Sequence, residues 1–91
     1  MAVTLDLAKN AENIAERGLS FEQVAELDWD TAVIGEDTRH DYGEPRQLVV
    51  ARLDGRLHAA VVTPRGEDLH VISFRKANRR EVRRYGKKDT G

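Results

Sequence analysis

Asp54-Gly55 links two β-rich runs, RQLVVARL at 46–53 and RLHAAVVT at 56–63. An Asp-Gly pair is a strong sign of a two-residue hairpin, because such turns need positive φ at both central positions. The pair therefore commits the middle of the chain to adjacent antiparallel strands. A third run, LHVISFR at 69–75, follows the turn signal PRGED at 64–68, and a shorter run, TAVIG, lies at 31–35. Together these runs predict an antiparallel meander of about four strands.

Ahead of residue 31 the pattern is helical. Asp6 fits an N-cap, Leu7, Ala11, Ile14 and Ala15 recur at helical spacing, and Gly18 fits a stop after Arg17. This predicts a helix over about 7–17. Ser20 with Gln23 forms a capping box for a second helix over roughly 21–27, with Leu19 and Val24 at the staple positions and Phe21, Val24 and Ala25 facing a core. After the last strand, Asn78 and Glu81 form another capping box, Val82 and Tyr85 share a face, and Gly86 ends a short third helix. The fold class is α+β: two N-terminal helices, an antiparallel sheet and a short C-terminal helix.

At 91 residues the chain makes one domain, 1–91, with about 87–91 frayed. A chain of this size buries roughly 60–65% of its unfolded surface, so a deep cavity between two domains is excluded. Cysteine is absent, which removes disulfides and thiolate metal sites and fits a reducing, cytoplasmic setting. The opening MAVTLDLAKNAENIAERG lacks the basic and apolar regions of a signal peptide, and AAVV at 59–62 is far too short to span a membrane. No two of His40, His58 and His70 are four residues apart, so no metal site is expected. No cofactor motif is present either.

Charge is divided unevenly. Residues 1–74 hold 7 basic and 14 acidic side chains, net −7, whereas residues 75–91 hold 8 and 2, net +6. One electropositive end on an acidic body suits a polyanion or an acidic protein segment. Within the third helix, Arg79 and Arg83 are an i, i+4 pair, as are Arg80 and Arg84. Like charges at that spacing destabilise a helix, and an external anion would relieve the repulsion. Arg75 and Lys76 stand at the end of a strand, where strict alternation puts Leu69, Val71, Ser73 and Arg75 on one face and His70, Ile72, Phe74 and Lys76 on the other. The Ser73–Arg75 face is the expected working surface.

A second polar stretch, EDTRHDYGEPR at 36–46, connects two strands. His40 is its best proton exchanger near neutral pH. Glu44 and Arg46, two apart at the mouth of a strand, can project to one face, where a carboxylate base beside a guanidinium suits phosphodiester chemistry. A solvated loop with local salt bridges would have the same composition.

EDTRHDYGE at 36–44 and ISFRKANRRE at 72–81, with AKNAENIAERG, LSFEQVAE and DGRLHAAVVTPRG in order around them, resemble the BrnT family of bacterial toxins over about residues 5–85. The resemblance implies a RelE-like, metal-independent endoribonuclease of a type II toxin–antitoxin system, which inhibits translation by cutting RNA. It also implies a BrnA-like antitoxin with a ribbon-helix-helix DNA-binding part, a two-plus-two heterotetramer, and operator DNA bound only through that complex. The chain departs from the family in having VTLD at 3–6 where an aromatic-acidic-Trp-Asp run is common, and Glu16-Arg17-Gly18 where Lys-His-Gly is common.

On this reading Glu44 or His40 is the general base, and Arg46 and Arg75 stabilise charge on the phosphate. Lys9, Lys76, Arg79, Arg80 and Arg83 hold the RNA backbone, while Tyr85 is either a packing anchor for the last helix, the favoured role, or a hydroxyl donor to phosphate. The other reading is a non-catalytic binding module whose basic end docks an acidic partner segment.

Overall fold

The computed structural model describes residues 2–37 and 43–86. Five strands, β1 (Val3–Leu5), β2 (Val33–Glu36), β3 (Gln47–Leu53), β4 (Arg56–Arg65) and β5 (Asp68–Lys76), form one sheet in the order β1-β5-β4-β3-β2. Helix α1 (Leu7–Arg17) follows β1, a 3-10 helix occupies Phe21–Glu26, and helix α2 (Arg79–Tyr85) follows β5. Among the described residues no helix is long and apolar enough to cross a membrane.

The hairpin at Asp54-Gly55 forms as its chemistry demands: φ is 51° at Asp54 and 80° at Gly55, and Leu53 pairs with Arg56. Both faces of the resulting sheet are used. On one, Leu19, Phe21, Val24 and Leu27 pack against Val49, Ala51, Val62, Val71 and Phe74. On the other, Val50, Leu57 and Ala59 form a smaller cluster that Leu48, Ala77 and Tyr85 join. Tyr85 thus fastens α2 to the second face.

Several sequence expectations need correction. The sheet has five strands and is mixed, because β1 runs parallel to β5 with Val3 opposite Leu69 and Leu5 opposite Val71. Three residues carry too little periodicity to be read as a strand, and their partner lies far along the chain. The second helix has the expected capping box, but it is 3-10 rather than α, and Ala25 is exposed. The turn after β4 is tighter than PRGED suggests, with Arg65 already paired to Asp68.

The alternation along β5 also breaks. Val61 of β4 pairs with Ser73, but Val62 pairs with Val71, so Ile72 is the extra residue of a bulge. One extra residue reverses the side-chain parity beyond it. Phe74 therefore joins Leu69 and Val71 in the main core, while Ser73 and Arg75 face the opposite side.

Helix α1 buries an unexpected face. Leu7 and Ile14 are 80% and 47% exposed, whereas Asn10 and Asn13 are each 8% exposed. The helix begins at the Asp6 cap and ends at Gly18 in the left-handed region, as its sequence requires. Its inward contacts are polar, however. The Asn10 carboxamide oxygen accepts from the Phe21 N–H at 2.8 Å. The Asn13 Nδ2 donates to the carbonyls of Leu19 and Phe74 at 2.9 and 3.0 Å. Strand β1 covers β5 only from Leu69 to Val71, so Asn13 satisfies a carbonyl on the edge that β1 leaves open.

Asn13→Ala should therefore cost about 2–3 kcal/mol by leaving two carbonyls without their donor. Ile14→Ser should stay within about 0.5 kcal/mol, as surface changes do. Urea denaturation of both variants checks the contrast, which is the reverse of what hydrophobicity alone would give.

Candidate active-site cleft

A cleft of ≈ 460 Å³ opens on the second sheet face. Its floor is Leu48, Val61 and Ser73, from β3, β4 and β5. One wall is Arg75 with Asn78, Arg80 and Glu81 at the start of α2, and the other is Glu36 and Asp37 at the end of β2. The floor is set by strand parity: Leu48 and Val61 alternate with the core residues Val49 and Val62.

The α2 wall is held by a single carboxylate. Arg75 Nη1 donates to Glu81 Oε1 at 2.6 Å and Nη2 to Oε2 at 3.0 Å, a bidentate ion pair. The same Oε1 accepts from the Asn78 N–H at 2.9 Å, and Asn78 Oδ1 accepts from the Glu81 N–H at 2.8 Å. The capping box and the ion pair thus share one group, whose side chain is 12% exposed beside an Arg75 side chain that is 32% exposed. Glu81 is held below the ordinary glutamate value of 4.5, chiefly by the Arg75 hydrogen bonds, with burial opposing and the Asn78 N–H and the Arg75 charge assisting.

The sequence-derived site residues divide into four groups. Arg75 and Arg80 line the cleft together. Arg79 and Arg83 are exposed on α2, Lys76 is exposed at the end of β5, and Lys9 is exposed on α1; none of these four lines the cleft. Glu44 is exposed and pairs with Arg65 at 3.4 Å, and Arg46 is half-buried with its Nε inside; neither lines the cleft. His40 lies outside the described residues.

Two features were not singled out from the sequence. Glu36 and Asp37 were legible only as charges opening a polar connection; their place beside a strand end was the available signal. Glu81 was legible as a capping residue, but its bond to Arg75 depends on the strand-to-helix turn at Ala77. Among the described residues no three His, Cys, Asp or Glu side chains are grouped to hold a metal ion.

The model of the ribonuclease toxin BrnT of type II toxin–antitoxin systems matches residues 6–81. The chain belongs to the BrnT family. The matched segment runs from the Asp6 cap to Glu81 and contains every residue of the cleft wall and floor. Membership in the BrnT family makes this a ribonuclease toxin of a type II system, with RNA as its substrate class and an antitoxin as its counterpart. Among curated proteins, none matches the chain at a significant level.

The ion pair predicts an acid-sensitive contribution to stability. Because Glu81 is lowered in the folded chain, this contribution is complete above the ordinary glutamate value and disappears as pH falls through the folded value. Glu81→Gln should cost about 1–2 kcal/mol at pH 7, the range for a charged hydrogen bond reduced for partial exposure. The gap to the parent should close in acid below the ordinary range, as read from urea midpoints across pH. A gap that persists at the acid end would mean the loss does not come from the charge.

Proposed function

We propose that the chain is a RelE-like, metal-independent endoribonuclease that stops translation by cutting RNA at the cleft between α2 and β2. The observation that carries this reading is the pairing of a guanidinium wall, Arg75 and Arg80, with a carboxylate wall, Glu36 and Asp37, across one cleft of a ribonuclease-family chain. RNA supplies its own nucleophile. A base takes the proton of a 2′-hydroxyl, the 2′-oxygen bonds to the adjacent phosphorus, and the bond to the 5′-oxygen breaks as that oxygen gains a proton. The products are a 2′,3′-cyclic phosphate and a 5′-hydroxyl. Such a step needs a base, an acid and a cationic clamp.

Arg75 is the clamp on this reading, with Arg46 assisting from the neighbouring connection. The base is drawn from Glu36 or Asp37, or from His40, three residues beyond Asp37. Glu44 serves only by leaving Arg65. Arg79 and Arg83, on the exposed side of α2, and Lys76 guide the RNA backbone to Arg80, with Lys9 a more distant contact. The partner is a BrnA-like antitoxin with a ribbon-helix-helix part, in a two-plus-two complex that binds operator DNA, and the pair works in the cytoplasm.

Exposure of Arg79, Arg83 and Arg84 outside the cleft favours a second reading, in which α2 docks an acidic partner segment and the protein cuts nothing. Purified toxin incubated with RNA in EDTA decides between them. Cleavage leaving cyclic phosphate ends supports the enzyme, and intact RNA at excess protein supports the docking module.

Arg75→Lys should keep the fold and most RNA affinity but lose cleavage by on the order of 10²-fold, because an ammonium cannot reproduce a bidentate guanidinium. Unchanged cleavage would remove Arg75 from the site. RNA affinity should also fall steeply with salt. Replacing Arg79 and Arg83 together by Gln should flatten the log–log slope by about 1.4, at about 0.7 per phosphate contact on a single strand.

A further inference from the structure

We infer that Glu81 is a positioning residue for RNA cleavage: it grips Arg75 by one edge of the guanidinium and thereby presents the other edge to the scissile phosphate. The inference rests on the ribonuclease reading above and adds a residue to it.

A guanidinium has two edges that can bind an oxyanion in bidentate fashion, Nη1–Nη2 and Nε–Nη2. Glu81 takes the first, at 2.6 and 3.0 Å. The remaining hydrogen bond of Arg75 among the described residues is long, from Nη1 to the Lys76 carbonyl at 3.4 Å. Every one of these bonds leaves from Nη1 or Nη2, so among the described residues nothing takes the Nε–Nη2 edge, and that edge can bind a second oxyanion.

The grip itself cannot swing freely. Glu81 sits at the third position of α2, and the Asn78 N–H holds its Oε1 at 2.9 Å while its own N–H is held by the Asn78 side chain. The carboxylate is therefore fixed by the helix start, and the guanidinium is fixed by the carboxylate. A donor that is already oriented stabilises charge developing on phosphate without reorganising when the reaction occurs. Phosphate adds to the pair by this route; it does not have to displace Glu81.

The test uses four chains: the parent, Glu81→Gln, Arg75→Gln and the double variant, each assayed on one short RNA at fixed salt. Glutamine keeps the capping box, since its carboxamide oxygen still accepts from the Asn78 N–H. It cannot accept twice from Arg75. Glu81→Gln should lower kcat on the order of tenfold or more with little change in KM, because orientation is lost while net positive charge rises. Arg75→Gln should lose on the order of 10²-fold. The double variant should match Arg75→Gln alone, because Glu81 acts through Arg75. Independent, multiplying losses overturn the inference. So does a Glu81→Gln variant as active as the parent, or more active, the latter meaning that Glu81 restrains Arg75.

A second measurement does not depend on cleavage. The Arg75 Nε–Hε signal is followed by nitrogen-15 NMR as a 2′-deoxy hexanucleotide, which cannot be cut, is added. The parent signal should shift, and in Glu81→Gln the shift should be much smaller. Equal shifts in both chains overturn the positioning role. If the parent leaves RNA intact, the ribonuclease reading fails, and this titration still decides whether Glu81 orients Arg75 toward phosphate.

Discussion

The Glu81 carboxylate joins sheet to helix. Helix α2 has seven residues, four of them arginine, a length and charge that do not form a stable helix alone. Three attachments hold it in place. Glu81 ties its start to Arg75 on β5, Tyr85 packs against the cluster of Val50, Leu57 and Ala59, and the Gly86 carbonyl accepts from Arg52 Nη2 at 3.5 Å. A helix whose own sequence repels itself is thereby carried by the sheet, and its arginines remain available. The first attachment also neutralises one cation of the cleft. Arg80 lines the same cleft as Glu36 and Asp37, and Arg79, Arg83 and Arg84 are exposed on α2 outside it.

Strand parity does the rest of the sorting. Along β3 and β4, successive residues alternate between a large core under the 3-10 helix and a smaller cluster under α2. On β5 this alternation holds only because a bulge absorbs Ile72. Without the extra residue, Arg75 would lie on the side of Leu69 and Val71, against the main core. A single irregularity in the ladder thus puts the guanidinium in the cleft and puts Phe74 where it can be buried.

Much of the fold was legible because local chemistry and tertiary structure agree. Asp6 and Gly18 bracket α1, Ser20 with Gln23 and Asn78 with Glu81 form their boxes, and Asp54-Gly55 makes its hairpin. Legibility ended where a distant partner decides. The stretch 3–5 becomes a strand only because residues 69–71 lie beside it. Asn10 and Asn13 turn inward because the Phe21 N–H and the Leu19 and Phe74 carbonyls need partners there, which outweighs the apolar spacing of Leu7 and Ile14. At the site, Ser73 and Arg75 were read onto the working face despite a wrong grouping with Leu69 and Val71. The pairing of Arg75 with Glu81 was hidden because each residue already had a sufficient local explanation, one as a clamp and the other as a cap. Glu36 and Asp37 gained meaning only from the strand order, which sets β2 across β3 and β4 from α2.

The parallel pairing of β1 with β5 carries a consequence for the order of events during synthesis. At about 5–20 residues per second, several seconds separate the making of Val3 from that of Leu69. Through that interval β1 has no strand to join, and Asn13 has no Phe74 carbonyl to hold. The cleft is later still, since its wall needs Glu81. A chain made only to residue 65 contains the segments of β3, β4 and both early helices, but lacks the residues that close the sheet edge and orient the guanidinium. Completion of the cleft is thus among the last acts of folding, after nearly all of the described chain has been made.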